Sequence, residues 1–340
     1  MAYFLGVDVG SVSTDFVVID ETNQIMSEQY LNTRGNPIAA IREGAKNLSV
    51  EFGAELSIGG VGATGSGRSL AAAIIGADVV KNEITTHAMA ASVVDPDIKT
   101  IIEIGGQDSK LILLRDGLVW DFSMNTVCAA GTGSFLDRQA ERLGLAVSEL
   151  GQYAIRADSP VRVAGRCAVF AESDLIHKQQ LGCSMENIIA GMSAALVRNY
   201  LSNVARGKDI QSKICFQGGV AANEGIKVAF EQALGQQVVV PKYHKVMGAY
   251  GAALLAKEKA QNKNTPTKFK GYNDARYEDI NSVGFECTDC ANNCEVVILK
   301  SGDTQIGCFS DRCGKYQSHT SGQVADPSPG QVASTTSARE

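Results

Sequence analysis

The chain has 340 residues, of which 44% are hydrophobic and 20% are charged, and its formal net charge is −6. This composition is typical of a soluble globular protein that is long enough for two or three packed units. The sequence has no basic stripe and no apolar run near the roughly 20 residues that cross a bilayer, so we expect no nucleic-acid partner and no membrane span. The N-terminus enters a strand pattern without a signal peptide, which predicts a cytoplasmic location.

The first hundred residues predict an α/β unit that begins with a hairpin. The apolar spacing predicts, in chain order, strand 2–9, strand 15–20, helix 37–52, strand 57–63 and helix 84–94. At the hairpin tip, glycine lets backbone N–H groups approach an anion closely. The tip is therefore a candidate phosphate turn, which follows Asp8 and contains Gly10, Ser11, Val12 and Ser13.

Two later segments repeat a glycine-rich turn after a predicted strand. The second turn lies between predicted strands 101–104 and 110–114 and contains Glu103, Gly105, Gly106, Gln107 and Asp108. The third turn opens a predicted helix, could hold a nucleoside, and contains Gly218, Gly219 and Asn223. One glycine-rich turn is most often structural, whereas three in this order form a much stronger signal for a bound nucleotide.

The remaining predicted elements alternate between helices and short strands. They are helix 135–143, helix 146–154, strand 161–164, helix 171–180, buried helix 185–204, strand 213–216, helix 226–233, strand 237–240 and helix 246–260. Together with the first unit, they predict two related α/β halves around one ligand. His87 stands alone among apolar residues, and we interpret it as a hydrogen-bonded structural residue.

Nine cysteines are many for a protein predicted to be cytoplasmic. Their odd number and uneven spacing argue against a disulfide framework. Cys128 and Cys167 each precede a small-residue turn and a predicted helix, a position that favours the thiolate. They are either buried core residues or metal ligands. Two ligands cannot complete a tetrahedral site or a four-cysteine cluster, but a two-fold dimer would supply the other two.

The chain changes character after residue 260. Residues 261–283 are polar and are predicted to form a linker, while residues 284–317 hold five cysteines at Cys287, Cys290, Cys294, Cys308 and Cys313. This spacing is common among metal ligands, and either zinc or an iron–sulfur cluster would suit it. The alternative is a set of unligated cysteines. Residues 318–340 are rich in Ser, Thr, Gly and Pro and are predicted to be disordered.

The three turns, in their order and spacing, resemble the actin–hexokinase–Hsp70 superfamily. This resemblance implies a two-domain, actin-like (ribonuclease H-like) α/β fold that grips ATP or ADP in a cleft. It further implies that acidic residues at the strand ends hold Mg²⁺, here Asp8 and Glu103. Glu103 departs from the pattern, which usually has Asp at that place.

The motifs GVDVGS, ATGSGR, NEITTHAMAA, EIGGQDSK, MNTVCAAGTGSFLD, RCAVFAESD and QGGVAAN make a more specific resemblance. Residues 3–257 resemble the BadF/BadG/BcrA/BcrD ATPase family, which includes the ATP-dependent activators of 2-hydroxyacyl-CoA dehydratases. The resemblance implies a homodimer bridged by one [4Fe-4S] cluster, with Cys128 and Cys167 at ligand positions. It also implies ATP-driven electron transfer to a dehydratase or benzoyl-CoA reductase-type partner, with ferredoxin or flavodoxin as the upstream donor.

These inferences define a domain plan and a mechanism. The expected units are residues 1–96 with closing helix 246–260, residues 97–245, a linker over 261–283, a Cys-rich module over 284–317 and a tail over 318–340. Backbone amides of the first two turns would stabilise phosphoryl charge, and Gln107 or Asp108 would orient the attacking water. The alternatives are a small-molecule kinase of the amino sugar type and a non-catalytic docking module of a larger protein.

Overall fold

The computed structural model describes residues 2–53, 57–125, 128–262, 265–272 and 279–316. Its first sheet has the strand order β3-β2-β1-β4-β5. The strands are β1 (Tyr3–Val9), β2 (Ser13–Ile19), β3 (Ile25–Asn32), β4 (Ile58–Thr64) and β5 (Val79–Val80). The three first strands are antiparallel neighbours, and β4 then pairs with β1 in parallel.

The second sheet repeats this layout with the order β10-β9-β6-β7-β8. Its strands are β6 (Thr100–Ile104), β7 (Ser109–Arg115), β8 (Leu118–Asn125), β9 (Ile214–Gln217) and β10 (Val238–Val239). Again an antiparallel meander is followed by a strand, β9, that pairs in parallel with the first of the three. The α/β class and the two related halves predicted from the sequence are therefore confirmed.

Helices connect the parallel strands, as parallel pairing requires. They are α1 (Pro37–Phe52), α2 (Arg68–Ala71), α3 (Glu83–Val94), α4 (Gly133–Leu143), α5 (Leu150–Ile155), α6 (Ala168–Gln180), α7 (Met185–Asn203), α8 (Glu224–Leu234) and α9 (Met247–Asn262). Polar side chains start several of them: Asn36, Asn82, Ser184 and Asn223 each accept a hydrogen bond from a first-turn N–H group. None of the helices in the described ranges is long and apolar enough to span a membrane.

The closing helix α9 packs directly on the first sheet because two strands carry glycine where the helix crosses them. A Cβ atom on Gly6 would lie 1.8 Å from the Ala249 carbonyl oxygen, and one on Gly62 would lie 2.1 Å from that of Ala252. The backbones of β1, β4 and α9 are therefore in contact. This contact fixes the end of β1, which leads into the first phosphate turn.

Gly62→Ala is expected to lower the free energy of unfolding by about 3 kcal/mol, at the upper end of what overpacking costs, because the added methyl group meets rigid backbone. Chemical denaturation measures the change. Gly284→Ala is the matched control, since a Cβ atom there would meet only the Val296 oxygen at 4.0 Å. Equal stability of the two variants would contradict the close packing of α9.

The predicted strand over 161–164 is wrong. This segment pairs with no strand among the described residues, because its polar groups bond to helices α6 and α7 instead. Val161 N donates to Asn187 O at 3.1 Å, Ala164 N donates to Asp174 Oδ2 at 2.9 Å, and Val163 O accepts from Arg198 Nη2 at 2.7 Å. A buried segment satisfied in this way can have the apolar pattern of a strand.

The polar segment over 261–283 is partly helix α9 and partly packed chain, so its description as a linker needs correction for residues 265–272. Asp78 accepts hydrogen bonds from Thr267 Oγ1 at 2.7 Å and from Lys268 N at 2.8 Å. Tyr272 is buried in the core of the first sheet. These contacts could not be predicted from the polar composition of the segment, because their acceptor, Asp78, lies almost 200 residues earlier in the chain. Residues 263–264 and 273–278 lie outside the described chain.

A third sheet forms in the described part of the Cys-rich module. It comprises the antiparallel strands β11 (Ile280–Glu286), β12 (Glu295–Ser301) and β13 (Thr304–Phe309). Ile280 and Leu299 are buried against the core of the first sheet. The module therefore shares a core with the first domain. The tail predicted over 318–340 lies outside the described residues.

Candidate active site

The first two glycine-rich turns face each other across a cleft of about 300 Å³. Each turn is closed in the same way: Gly10 N donates to Ser13 O at 2.8 Å, and Gly105 N donates to Asp108 O at 3.0 Å. The cleft brings together the predicted residues of all three turns apart from Asn223. Its lining includes Asp8, Gly10, Ser11, Val12, Ser13, Glu103, Gly105, Gly106, Gln107, Asp108, Gly218 and Gly219.

The third turn needs glycine for a conformational reason. Gly218 has a φ of +89°, and a Cβ atom there would lie 2.3 Å from the Ile104 carbonyl oxygen. Asn223 lies in an adjoining cavity of about 330 Å³, and its side chain accepts a hydrogen bond from Ile226 N at 3.1 Å. Asn223 therefore positions helix α8 beside the cleft.

Carboxylates concentrate at the bottom of the cleft. Burial, followed by the neighbouring Glu83, raises the pKa of Asp8 to about 7. Burial, followed by Asp8, raises the pKa of Asp15 well above its usual range. Asp15 Oδ1 is buried and has no hydrogen-bond partner among the described residues. Without a cation, these buried carboxyl groups therefore favour the protonated form.

Sequence reasoning missed Lys110, the lysine that pairs with the carboxylates of this site. Its Nζ atom lies 2.7 Å from Glu83 Oε2, 2.8 Å from Asp108 Oδ2 and 2.9 Å from Glu103 Oε2, and the side chain is buried. Burial alone would lower the pKa of Lys110, but the three carboxylates raise it. The available signal was a lysine between buried positions of a strand, which a structural lysine rarely occupies without a partner.

Lys110 changes the expected roles of two predicted residues. Glu103 and Asp108 are both paired with Lys110. A metal ion or a water molecule would therefore have to compete with Lys110 for either carboxylate. Gln107 lines the cleft, is exposed, and makes no side-chain hydrogen bond with a described residue. Asp8 is thus the better placed of the two predicted Mg²⁺ ligands, and Gln107 is the better placed of the two residues predicted to orient water.

A divalent cation fits this donor set. Oxygen ligands are what Mg²⁺ prefers, and the cleft offers Asp8 together with the unpartnered oxygen of Asp15. Glycine makes room for the Asp8 carboxylate: Cβ atoms on Gly65 and Gly248 would lie 2.4 Å and 1.9 Å from its oxygens. The carboxylate therefore has a space that no larger residue could provide.

His87 has a structural role in the cleft that agrees with its sequence interpretation. It is buried, and its Nδ1 atom lies 2.9 Å from Gln217 Oε1. Because His87 belongs to α3 and Gln217 ends β9, this hydrogen bond joins the elements on either side of the cleft.

Cys128 and Cys167 lie on neighbouring segments at helix starts. Cys128 precedes a 3₁₀ turn over Ala129–Gly131, and Cys167 is the N-cap of α6. The Cys128 Sγ atom is 3.8 Å from the Arg166 carbonyl oxygen, so the two cysteines are near each other. Both are half-buried. No group of three or more candidate ligands occurs in the described chain, so each subunit offers at most half of a four-ligand site here.

Amide side chains hold this pair of segments in place. Asn125 brackets Cys128, since its Oδ1 accepts from Cys128 N at 3.0 Å and its Nδ2 donates to Cys128 O at 2.9 Å. Asn199 Nδ2 donates to Gly165 O at 2.6 Å and lies 4.0 Å from Cys128 Sγ. Neither asparagine was identified from the sequence. Asn199 acts through contacts that only the fold creates, whereas Asn125 bonds to Cys128 only three residues away, a spacing typical of a local turn.

The cleft is hydrogen-bonded to the Cys128 segment. Gly133 N donates to Gly105 O at 2.9 Å, and Ser134 N donates to Gly106 O at 2.8 Å. Ser134 Oγ also donates to Gly106 O, at 2.6 Å. The second phosphate turn therefore bonds to the start of α4, five residues after Cys128.

The C-terminal cysteines share one end of the small sheet without forming a metal centre there. Cys287 N donates to Cys294 O at 2.8 Å, and both residues are buried, with Cys308 packed beside them. Cys290 and Cys313 are exposed. No three of these cysteines form a metal-binding group within 279–316. A second metal site remains a prediction.

Comparison with known proteins identifies the family. A model described as the BadF/BadG/BcrA/BcrD ATPase family matches residues 5–256. The chain belongs to this family. The (R)-2-hydroxyglutaryl-CoA dehydratase activating ATPase of Acidaminococcus fermentans is 34% identical over 262 residues, which cover 76% of this chain and 98% of that protein.

Two solved structures agree with this assignment. The A. fermentans (R)-2-hydroxyglutaryl-CoA dehydratase component A superposes with a TM-score of 0.70 at 33% identity, covering 77% of this chain and all of the other. The activator of the 2-hydroxyisocaproyl-CoA dehydratase from Clostridium difficile, with bound ADPNP, gives the same TM-score and identity, covering 76% and 96%. The resemblance drawn from the motifs and the two-domain actin-like fold are confirmed.

Proposed function

We propose that the chain hydrolyses ATP to activate a 2-hydroxyacyl-CoA dehydratase or benzoyl-CoA reductase-type component, and that it does so by electron transfer. The observation that carries this proposal is the hydrogen bonding between the Gly105–Gly106 turn and the start of α4. It connects the nucleotide cleft to the segment that begins at Cys128. A change at the phosphates can thereby reach the cysteine pair.

The cleft is suited to ATP hydrolysis. Backbone amides of Gly10 to Ser13 and of Gly105 and Gly106 would stabilise charge on the transferring phosphoryl group. Gln107 would orient the attacking water. Mg²⁺ held near Asp8 would neutralise phosphate charge when it is bound, and Lys110 would keep the neighbouring carboxylates from repelling the nucleotide.

The cysteine pair fits a [4Fe-4S] cluster shared by two copies of the chain. Cys128 and Cys167 would supply two thiolates from each copy, and helix starts favour the thiolate form. When bound, the cluster would hold a low-potential electron received from a ferredoxin or flavodoxin. Val169 and Phe170, two and three residues after Cys167, support the dimer: each is 68% exposed, and a second copy would cover them.

The relatives favour this function over the alternatives of a kinase and of a docking module without activity. The similar proteins named above are activators of acyl-CoA dehydratases. They also support the dehydratase component as the partner. The C-terminal cysteines are proposed as a separate zinc or iron–sulfur site that lies outside the family region.

Anaerobic purification with iron and sulfide analysis tests the proposal. We expect brown protein with about four irons per dimer, since two ligands per subunit make one four-cysteine site. ATP hydrolysis without any acceptor is expected in the same preparation. Colourless, iron-free protein after anaerobic reconstitution would reject the electron-transfer role while leaving ATP hydrolysis open.

The pKa of Asp8 predicts how ATP turnover depends on pH. Because burial raises this pKa to about 7, Asp8 is protonated in the metal-free protein below that pH and cannot bind Mg²⁺. We therefore expect kcat/KM to rise with pH through about 7, and the midpoint to fall as the Mg²⁺ concentration rises, because the metal competes with the proton. Steady-state assays at several Mg²⁺ concentrations measure the shift.

Asp8→Asn provides the comparison for this pH profile. The variant cannot titrate at this position, so its residual activity should lose the Mg²⁺-dependent shift. A wild-type midpoint that does not move with Mg²⁺ would contradict the assignment of Asp8 as the metal ligand.

A further inference from the structure

A basic groove of about 650 Å³ lies beside the cysteine pair, on the second domain. Its cationic side chains are Arg162, Arg166, Lys178 and Arg198. The lining includes one carboxylate, Asp174, whose Oδ2 accepts a hydrogen bond from Ala164 N at 2.9 Å. The groove therefore carries about three net positive charges in a chain whose formal net charge is −6.

These cations are not neutralised by described neighbours. Arg162, Arg166 and Arg198 are exposed and Lys178 is half-buried, and none forms an ion pair with a described residue. Arg198 Nη2 donates to the Val163 carbonyl oxygen, which leaves its charge uncompensated. Burial and the nearby Arg162 lower the pKa of Arg198, so the two guanidinium groups are close and repel each other. Clustered, unpaired cations attract an anionic partner.

We propose that this groove, defined by Arg162, Arg166, Lys178 and Arg198, docks the acidic surface of the protein that donates the electron. The proposal rests on the function proposed above, in which Cys128 and Cys167 hold the electron-accepting centre. The groove is next to that centre: Arg166 directly precedes Cys167, and its carbonyl oxygen lies 3.8 Å from Cys128 Sγ. A protein bound there would place its own redox centre near the cysteines.

A second copy of the chain is a less suitable occupant of the groove than an acidic donor protein. Phe170, Asp174 and Lys178 follow each other at intervals of four residues, so they lie along one face of α6. The groove therefore borders the exposed apolar residues that we assign to the dimer. Two such grooves facing each other across a two-fold axis would bring like charges together, which is unfavourable.

The position of the groove also indicates that its partner is the electron donor and not the dehydratase component. All lining residues come from 162–202, and none of them lines the nucleotide cleft. A surface away from the phosphates suits a partner that docks in every nucleotide state. It suits less well an acceptor whose engagement ATP controls.

The test measures direct binding of a purified acidic two-cluster ferredoxin, oxidised and labelled with a fluorophore, to the full chain. The variants are Arg162→Glu, Lys178→Glu and the double variant, since neither side chain bonds to a described residue. At low ionic strength we expect the double variant to bind at least about 10-fold more weakly, and the difference to disappear near 0.5 M salt, where charges are screened. Lys46→Glu is the matched control, because Lys46 is exposed on α1, in the other domain.

Each outcome of this experiment either supports or overturns the assignment of the groove. Unchanged ferredoxin binding in the double variant would overturn the proposal, as would loss of the dimer or of binding to a dehydratase component with ferredoxin binding intact. Arg162→Gln, which removes charge without reversing it, should give an intermediate effect and guards against misfolding. Binding does not need the cluster, so the two proposals fail separately. Iron-free protein with charge-dependent ferredoxin binding would refute the electron-transfer role alone, and about four irons per dimer without such binding would refute the groove alone.

Discussion

Cys167→Ser is expected to yield protein without the bridging cluster and with a weakened dimer, while nucleotide binding stays within about twofold of the wild type. Serine keeps the size of the side chain at the N-cap of α6 but is a poor ligand for iron. The phosphate turns lie in other segments, so the cleft should be unaffected. Iron and sulfide analysis, sedimentation analysis and ADP titration measure the three properties.

Cys183→Ser is the matched control for this prediction. Cys183 is also half-buried, but it packs beside the core of the second domain. It should retain iron and the dimer. If Cys167→Ser retained four irons per dimer, the bridging site would lie elsewhere, and the C-terminal cysteines would be the next candidates.

The glycine-rich turns could be predicted from the sequence because their requirement is local. Turns that pack this closely need glycine at fixed positions: Cβ atoms on Gly106 and Gly218 would lie 2.5 Å from Val12 Cγ2 and 2.3 Å from the Ile104 carbonyl oxygen. The positions of Cys128 and Cys167 could be predicted for the same reason, since the residues that follow each cysteine predict a turn and then a helix. Local requirements leave a local trace in the sequence.

The charges around Lys110 could be predicted only in part. Glu103 and Asp108 are near Lys110 in the sequence, but Glu83, on α3, is brought to it only by the fold. The bond of Asn199 to the Gly165 carbonyl oxygen is also non-local, whereas Asn125 bonds to a residue only three positions away. The strand over 161–164 and the linker character of residues 265–272 were predicted wrongly for a related reason. Their hydrogen-bond partners, Asn187 and Asp78 among them, are remote in the sequence.

Gly106→Val is expected to reduce ATP turnover by a factor of at least about 100, comparable with the loss of a main-chain donor to a developing anion. A Cβ atom at this position would lie 2.5 Å from Val12 Cγ2, across the cleft between the first two turns. The larger side chain would therefore both push the turns apart and block the approach of phosphate to the backbone amide. Steady-state ATPase assays measure the loss, and circular dichroism checks that the fold persists.

The double variant Val12→Gly/Gly106→Val separates these two causes. Glycine at residue 12 removes the Cβ, Cγ1 and Cγ2 atoms that would lie 2.7, 3.0 and 2.5 Å from the new Cβ atom, but leaves a branched side chain over the amide of residue 106. We expect the double variant to regain stability and to remain inactive. Recovery of turnover would show that the defect is packing between the turns and not exclusion of phosphate. In that event, Gly106 would hold the two domains at the right distance, and the charge stabilisation assigned to its amide would fall to Gly10 and Gly105.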